Sequence, residues 1–319
     1  MSNNLIKDLW LIGTGPMSIE YCKVLKARKI DFQVIGRGQK SAKSFYDITE
    51  INPSVGGVEN FLSKNPIKCS HAIVSVGVEE LSNVTCKLID YGIENILVEK
   101  PAGLNITQIN TILEKALENQ TKVFVAYNRR FYSSVIKAKE IICSDGGLLS
   151  FNFEFTEWSH EIENLKKRRG IKESWFLGNS THVVDLSFYL GGSPKKISVY
   201  NSGSLKWHPS SSIFSGSGIS SKNALFTYNA NWQSPGRWSA EFLTKKHRLI
   251  LKPLEKLQIQ ENESVEIINY ENIDYSIDES YKAGLYFMIK SFLGSHENLC
   301  TIKEHHDNCK YYYMMANYI

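Results

Sequence analysis

The sequence predicts an α/β protein: first a doubly wound parallel sheet, then an α+β domain with a mostly antiparallel open sheet. Three observations predict it. Short, near-continuous apolar runs alternate with helical patterns up to residue 126. A glycine-rich turn closes the first of these runs and opens the first helix. Beyond residue 126 the texture changes to strand after strand, with few long helices between. The chain has 319 residues, and at roughly 150 residues per domain that is enough for two cores. The reading places a dinucleotide-binding domain at 1–126 and a substrate and oligomerisation domain at 127–319.

Leu9–Ile12 is the first apolar run, followed by a helix with Ile19, Cys22 and Leu25 on one stripe. Residues 32–35, 71–76, 95–98 and 122–126 supply four more strands. A helix with Leu81, Val84 and Leu88 follows the third. Another begins at Asn105, a plausible N-cap, with Gln108 three residues on as in a capping box. Strands apolar on both faces and separated by helices mean a parallel sheet covered on both sides. Right-handed crossovers then give a Rossmann-type domain. In the second half, 148–155, 196–200, 224–232, 237–243, 248–251 and 257–260 read as strands. Asn201 to Ser221, rich in Ser and Gly, reads as a weakly ordered loop. Tyr281 to Leu293 reads as a helix, which together with the Tyr-rich tail packs back onto the body.

Composition excludes several classes. Apolar residues make up 42% and charged residues 22%, ordinary for a globular chain and too apolar for a disordered one. Lys and Arg number 37 against 33 Asp and Glu, a net charge of +4. That is too small a bias to imply nucleic acid or an anionic membrane, although it suits a phosphate site. No apolar run approaches the ~20 residues of a membrane helix. The first eight residues lack a signal architecture. Six cysteines, at 22, 69, 86, 143, 300 and 309, are scattered without CxxC or metal spacing. They read as reduced thiols of a cytoplasmic protein, and no metal is expected.

Ligands of a doubly wound sheet sit beyond the carboxyl ends of the strands, so those residues carry the functional reading. Gly13-Thr14-Gly15-Pro16-Met17-Ser18 follows the first strand. Its glycines allow a tight turn and close backbone approach to a pyrophosphate at the helix N-terminus. Ser18 replaces the third glycine and is still small. Val76 and Gly77 occupy the same place after the third strand. The second strand ends Val34-Ile35-Gly36-Arg37, with no carboxylate for a ribose 2′-hydroxyl. Arg37, with Lys40, Ser41 or Lys43 nearby, suits a 2′-phosphate, so NADP is preferred over NAD.

Glu99-Lys100-Pro101 follows the fourth strand, Tyr127-Asn128-Arg129-Arg130-Phe131 follows the fifth, and His182 and Asp185 lie one turn apart on a helical segment. With the glycine turn, this order and spacing resembles the glucose–fructose oxidoreductase / inositol dehydrogenase (Gfo/Idh/MocA) family of NAD(P)-dependent enzymes. The resemblance spans most of the chain. It implies an oxidoreductase moving hydride between nicotinamide and a carbohydrate alcohol or ketone, with a nucleotide-linked or amino sugar as one option. It implies that Lys100 points at both nicotinamide and substrate hydroxyl, that the Lys100–Pro101 peptide is cis, and that His182 is catalytic. Glu99, Pro101 and Asn128 join the cofactor contacts. Tyr127, Arg129, Asn179 and Asp185 join the substrate contacts. A sugar hydroxyl needs a base for its proton, a role His fills near neutral pH, while Lys100 holds the developing alkoxide.

The sequence departs from the family pattern where an Asp usually stands four residues before the His; here that residue is Gly178, and Ser180 replaces a glycine. A relay through that Asp is absent, leaving Asn179 or Ser180 to position substrate and Lys100 to carry more of the acid–base work. Trp158, Trp175 and the loop Asn231-Trp232-Gln233-Ser234-Pro235-Gly236-Arg237-Trp238 offer aromatic faces and polar groups suited to sugars. Core packing or an interface is an equal reading for each Trp. Lys166-Lys167-Arg168-Arg169 reads as a solvated helix face more than as a diphosphate grip. The family habit implies a homodimer or homotetramer through the second sheet. Two other readings remain: a reductase of a non-sugar carbonyl or imine, and a catalytically silent NADP-binding regulator.

Overall fold

In chain order the strands and helices of the first half are β1 (Leu9–Ile12), α1 (Pro16–Ala27), β2 (Phe32–Ile35), α2 (Gln39–Thr49), α3 (Gly57–Leu62), β3 (His71–Val74), α4 (Leu81–Tyr91), β4 (Asn95–Val98), α5 (Ile106–Glu118) and β5 (Lys122–Val125). Then come α6 (Ser133–Ser144), β6 (Ser150–Glu154), α7 (Ser159–Glu163), α8 (Thr181–Gly191), β7 (Pro194–Ser202), β8 (Ile213–Ser220), β9 (Leu225–Asn231), β10 (Ser239–Leu243), β11 (His247–Leu251), β12 (Gln258–Glu261) and β13 (Ile268–Asn269). The chain closes with α9 (Ser276–Ser280), α10 (Leu285–Phe292), β14 (Cys300–Thr301) and α11 (Ile302–Ala316). The computed structural model describes residues 8–318. Two compact units emerge: one of residues Met1–Ala126 with Ser280–Asp307, the other of Tyr127–Glu279 with Asn308–Ile319. Among the described residues, no helix is long and apolar enough to cross a membrane.

The first unit holds a six-stranded sheet in the order β14-β5-β4-β3-β1-β2. Its five main strands are parallel, and β14 adds an antiparallel edge on β5. β1 and β4 are buried along their whole length, as strands covered on both faces must be. The helix predicted from Asn105 is capped as read: Asn105 Oδ1 accepts from Gln108 N at 3.0 Å. Gln108 Oε1 in turn accepts from Leu104 N, one residue before the cap, at 2.8 Å.

The second unit holds an eight-stranded sheet, β13-β12-β11-β10-β6-β9-β8-β7. Every pairing is antiparallel except β6 with β9. α8 packs on β6, above a cluster formed by Phe151, Phe153, Phe155, Phe188, Phe226 and Tyr228.

The predicted loop at Asn201 to Ser221 is corrected here. Its first two residues end β7, and 213–220 form β8, a full strand between β7 and β9. The glycines that read as loop residues make room for a neighbour's rings. A Cβ on Gly216 would lie 2.5 Å from the Tyr228 ring, and one on Gly218 2.6 Å from the Phe226 ring. Aromatic side chains of β9 thus cover the bare backbone of β8. The segment before β8 is also packed, with Trp207 and His208 buried.

Candidate functional site

In the first unit, Gly13 takes φ +126, and a Cβ there would fall 2.5 Å from the carbonyl oxygen of Ser75. Only glycine allows β1 to turn this close to β3. Ser18, in the third glycine's place, does more than stay small: its hydroxyl meets that of Ser75 at 2.7 Å, tying α1 to the sheet. α1 begins with Gly15 as N-cap and Pro16 in its first turn, and among the described residues no side chain caps it. Its first N–H groups are therefore left for a ligand. A Cβ on Gly15 would meet nothing within 4 Å. The turn lines a cavity of about 900 Å³ that also takes in Arg37, Val76 and Gly77. So Gly13, Thr14, Gly15, Pro16, Met17, Arg37, Val76 and Gly77 come together as read from the sequence. Glu99, Lys100 and Pro101 do not border this cavity, and Asn128 belongs to the second unit.

The cavity carries groups that the sequence did not point to. Glu59, Glu79 and Glu80 line it, and Arg37 is ion-paired to Glu80 at 2.9 Å. β2 does end without an acid, but carboxylates reach the same cavity from α3 and from the turn after β3.

The segment after β4 is built firmly. The Lys100–Pro101 peptide is cis, as the resemblance implied, and Ala102 behind it has φ +68 and is buried. His305, on α11, donates from Nε2 to the Pro101 carbonyl at 3.0 Å, since a carbonyl only accepts. The Tyr21 hydroxyl donates to Glu99 Oε1 at 2.7 Å. Burial raises the pKa of Glu99, with the Tyr21 bond and the charges of Lys100 and Lys282 pulling it back. Tyr21 and His305 thus frame Lys100 from both sides of its sequence, a relation that only tertiary structure shows.

In the second unit, a 3₁₀ turn at Asn128–Phe131 follows β5, and a single π-type turn at Phe176–Ser180 leads into α8. Such turns redirect side chains and recur at functional sites. His182 sits in the first turn of α8, 6% exposed. Its ring lies edge-on to Tyr127 at 5.9 Å and 6.0 Å from Trp238. Trp238 carries the Arg129 guanidinium at 4.7 Å and that of Arg237 at 4.6 Å; Arg237 also covers Trp158 at 4.7 Å. Tyr127, Arg129, Trp158 and His182 are therefore linked through two residues, Arg237 and Trp238, that the sequence placed only in a sugar-suited loop.

Glu157, just beyond β6, is the carboxylate the sequence reading missed. It is 2% exposed and accepts from Asn179 Nδ2 at 3.0 Å and from Ser180 Oγ at 2.7 Å. Arg237 Nη1 stands 3.6 Å away. Burial raises its pKa, and the Ser180 bond, Arg237 and Asn179 oppose that shift. A Cβ on Gly178 would meet nothing within 4 Å. The Gly178-Asn179-Ser180 turn is thus open at its first residue and tied to Glu157 at the next two.

Asp185 shares α8 with His182, but its carboxylate meets Arg130, which donates at 2.8 and 2.6 Å. Trp175 lies edge-on to Trp207 at 6.1 Å, and Trp232 is core: its indole donates to Phe155 O at 3.1 Å. Lys166–Arg169 are exposed, in a loop after α7 instead of the expected helix face.

No family model matches the chain, and no curated protein matches it by sequence. Solved structures match it along nearly its whole length. A levoglucosan dehydrogenase in complex with NADH superposes with TM-score 0.81 at 13% identity, covering 98% of this chain and 97% of that one. The UDP-N-acetylglucosamine 3-dehydrogenase of Acidithiobacillus ferrooxidans gives 0.72 at 12% identity, with 95% and 94% covered. The WlbA dehydrogenase of Chromobacterium violaceum, solved with NADH and UDP-GlcNAcA, gives 0.71 at 14% identity, with 99% and 94% covered. At these identities the likeness is one of fold: the chain shares the fold of these dehydrogenases.

Proposed function

We propose that the chain is an NAD(P)-dependent oxidoreductase acting on a CH–OH group of a carbohydrate, or on the corresponding ketone. The observation that carries this is the uncapped N-terminus of α1 at a glycine turn, opening on a cavity large enough for a dinucleotide. The cavity fits such a cofactor on its own chemistry: free helix N–H groups for a pyrophosphate and carboxylates for ribose hydroxyls. Bound nicotinamide would supply a hydride acceptor or donor. Three solved proteins of the same fold act on, or are complexed with, sugars or nucleotide sugars, which supports the substrate class.

The chain's own residues then divide the work. Lys100, aimed by the turn that Tyr21 and His305 frame, holds the substrate oxygen as charge develops on it. His182 carries a proton. Tyr127, Arg129, Trp158, Trp175 and Asn179 contact substrate, and Asp185 acts by orienting α8. The test is redox turnover of NADH, NADPH and their oxidised forms with a panel of sugars and nucleotide sugars. Tight dinucleotide binding with no turnover across the panel would favour the silent regulator.

NADP(H) is proposed as the preferred dinucleotide, with Arg37 exchanging Glu80 for the 2′-phosphate. The exchange limits the gain, because an existing ion pair is given up. Arg37→Ala is expected to weaken NADP(H) by about 10-fold, the low end for a hydrogen bond to a charged group, and to leave NAD(H) nearly unchanged. Calorimetric titration of both cofactors checks this; tighter NAD(H) binding by the unaltered chain sinks the preference.

A homodimer or homotetramer through the second sheet is also proposed. β8 and β9 alternate buried Phe214, Phe226 and Tyr228 with exposed Ile213 and Leu225. Exposed apolar residues along a sheet face suit a second copy. Light scattering is expected to give at least twice the monomer mass, and a monomer at micromolar concentration counts against it.

A further inference from the structure

Arg129 and Arg130 are neighbours in sequence with opposite fates. Arg130 is buried against Asp185 in a two-bond ion pair. Arg248, elsewhere in the same unit, pairs with Glu241. Arg129 has no carboxylate within 4 Å among the described residues. Its Nη1 donates to Asn128 Oδ1 at 3.4 Å, and its guanidinium face lies on Trp238. Among the described residues, neither Arg129 Nε nor Trp238 Nε1, both buried donors, has an acceptor. Buried donors of this kind call for a partner. Burial also lowers the pKa of Arg129, so its charge is held there at a cost. Two carboxylates, Glu255 and Glu157, act on Arg129 from beyond ion-pair distance, and Glu157 is shared among Asn179, Ser180 and Arg237.

We propose that Arg129 and Arg237, stacked on Trp238, form a subsite for an anionic group of the substrate, a phosphate or a carboxylate. An anion offers only acceptors, so it satisfies the two orphan donors, and it adds the close counter-charge that Glu255 and Glu157 do not supply within 4 Å. A water molecule would do the first and not the second. The planar guanidinium suits two-point binding of either oxyanion. Arg237 and Trp158 are about half exposed, so the stack is reachable from solvent. His182 touches the same Trp238, which puts the anion's subsite beside the group proposed to carry a proton. The inference rests on the oxidoreductase reading and gives its substrate a charge.

The test uses the full chain with its dinucleotide cavity saturated by NADH or NADPH, titrated calorimetrically with pyrophosphate, glucuronate and glucose. At least one anion is expected to bind, more weakly as salt rises. Arg129→Gln is expected to weaken that anion roughly 10- to 100-fold while dinucleotide affinity stays unchanged. A response to pyrophosphate identifies a phosphate group, and a response to glucuronate a carboxylate. Arg237→Gln, on a half-exposed side chain, reads the same subsite if Arg129→Gln fails to fold. No anion binding at millimolar concentration, or equal binding by the unaltered chain and both variants, overturns the subsite. Failure of the dinucleotide to bind would instead sink the oxidoreductase reading. Turnover of neutral sugars without any anion response would keep that reading and remove the subsite.

Discussion

Lys100→Ala is expected to lower turnover on the order of 10²-fold or more, the scale of losing one preorganised donor, while dinucleotide affinity changes little. The asymmetry follows from where Lys100 stands. It comes just after β4, in a turn held by the His305 bond to the Pro101 carbonyl, and it does not border the dinucleotide cavity. In the proposed mechanism the ammonium would strengthen its hold on the substrate oxygen as negative charge grows, so its effect would fall on the transition state more than on binding. His182→Ala is expected to lose less, because Gly178 leaves no carboxylate at the turn's first residue and, in the proposed mechanism, Lys100 would carry more of the acid–base work. Steady-state kinetics with separate cofactor titrations check both variants. Near-normal turnover by Lys100→Ala on the true substrate would remove this mechanism. A parallel loss of cofactor affinity would mean that Lys100 acts on the dinucleotide instead.

The parallel sheet was legible because its strands are apolar on both faces, and the glycine turn was legible because its position after β1 is part of its meaning. The cap at Asn105 needed only two residues three apart. β8 was not legible: its Gly216 and Gly218 look like loop residues until Tyr228 and Phe226 of the neighbouring strand cover them. The site divides in the same way. Lys100 and His182 stand at motif positions that local sequence marks. Glu157, Arg237 and Trp238 acquire a role through packing against residues dozens of positions away, and periodicity carries no information about that. Arg37 shows the limit from the other side. β2 ends without an acid, yet Glu80, far along the chain, supplies one to the same cavity.

Asp185→Asn is expected to destabilise the second unit by roughly 3–5 kcal/mol, the range for stranding one member of a buried ion pair. Arg130 and Asp185 side chains are 2% and 1% exposed, so little water can reach the guanidinium to make up for the lost charge. Its face lies over Tyr189 at 4.8 Å, and that ring also carries a second cation, Lys139, at 4.6 Å. Thermal unfolding is expected to shift down on the order of 10 °C. The double change Arg130→Met with Asp185→Leu removes both charges and is expected to recover most of the loss, because apolar residues of similar volume need no counter-ion. The pair also ties the 3₁₀ turn after β5 to α8, three residues beyond His182, so the single variant should lose activity through His182 even below its melting point. The sequence offered Asp185 as a substrate contact, and the two roles separate cleanly. A contact would raise KM and leave the melting temperature alone. A brace lowers the melting temperature first, and its loss is repaired by the double variant's stability without a carboxylate at 185.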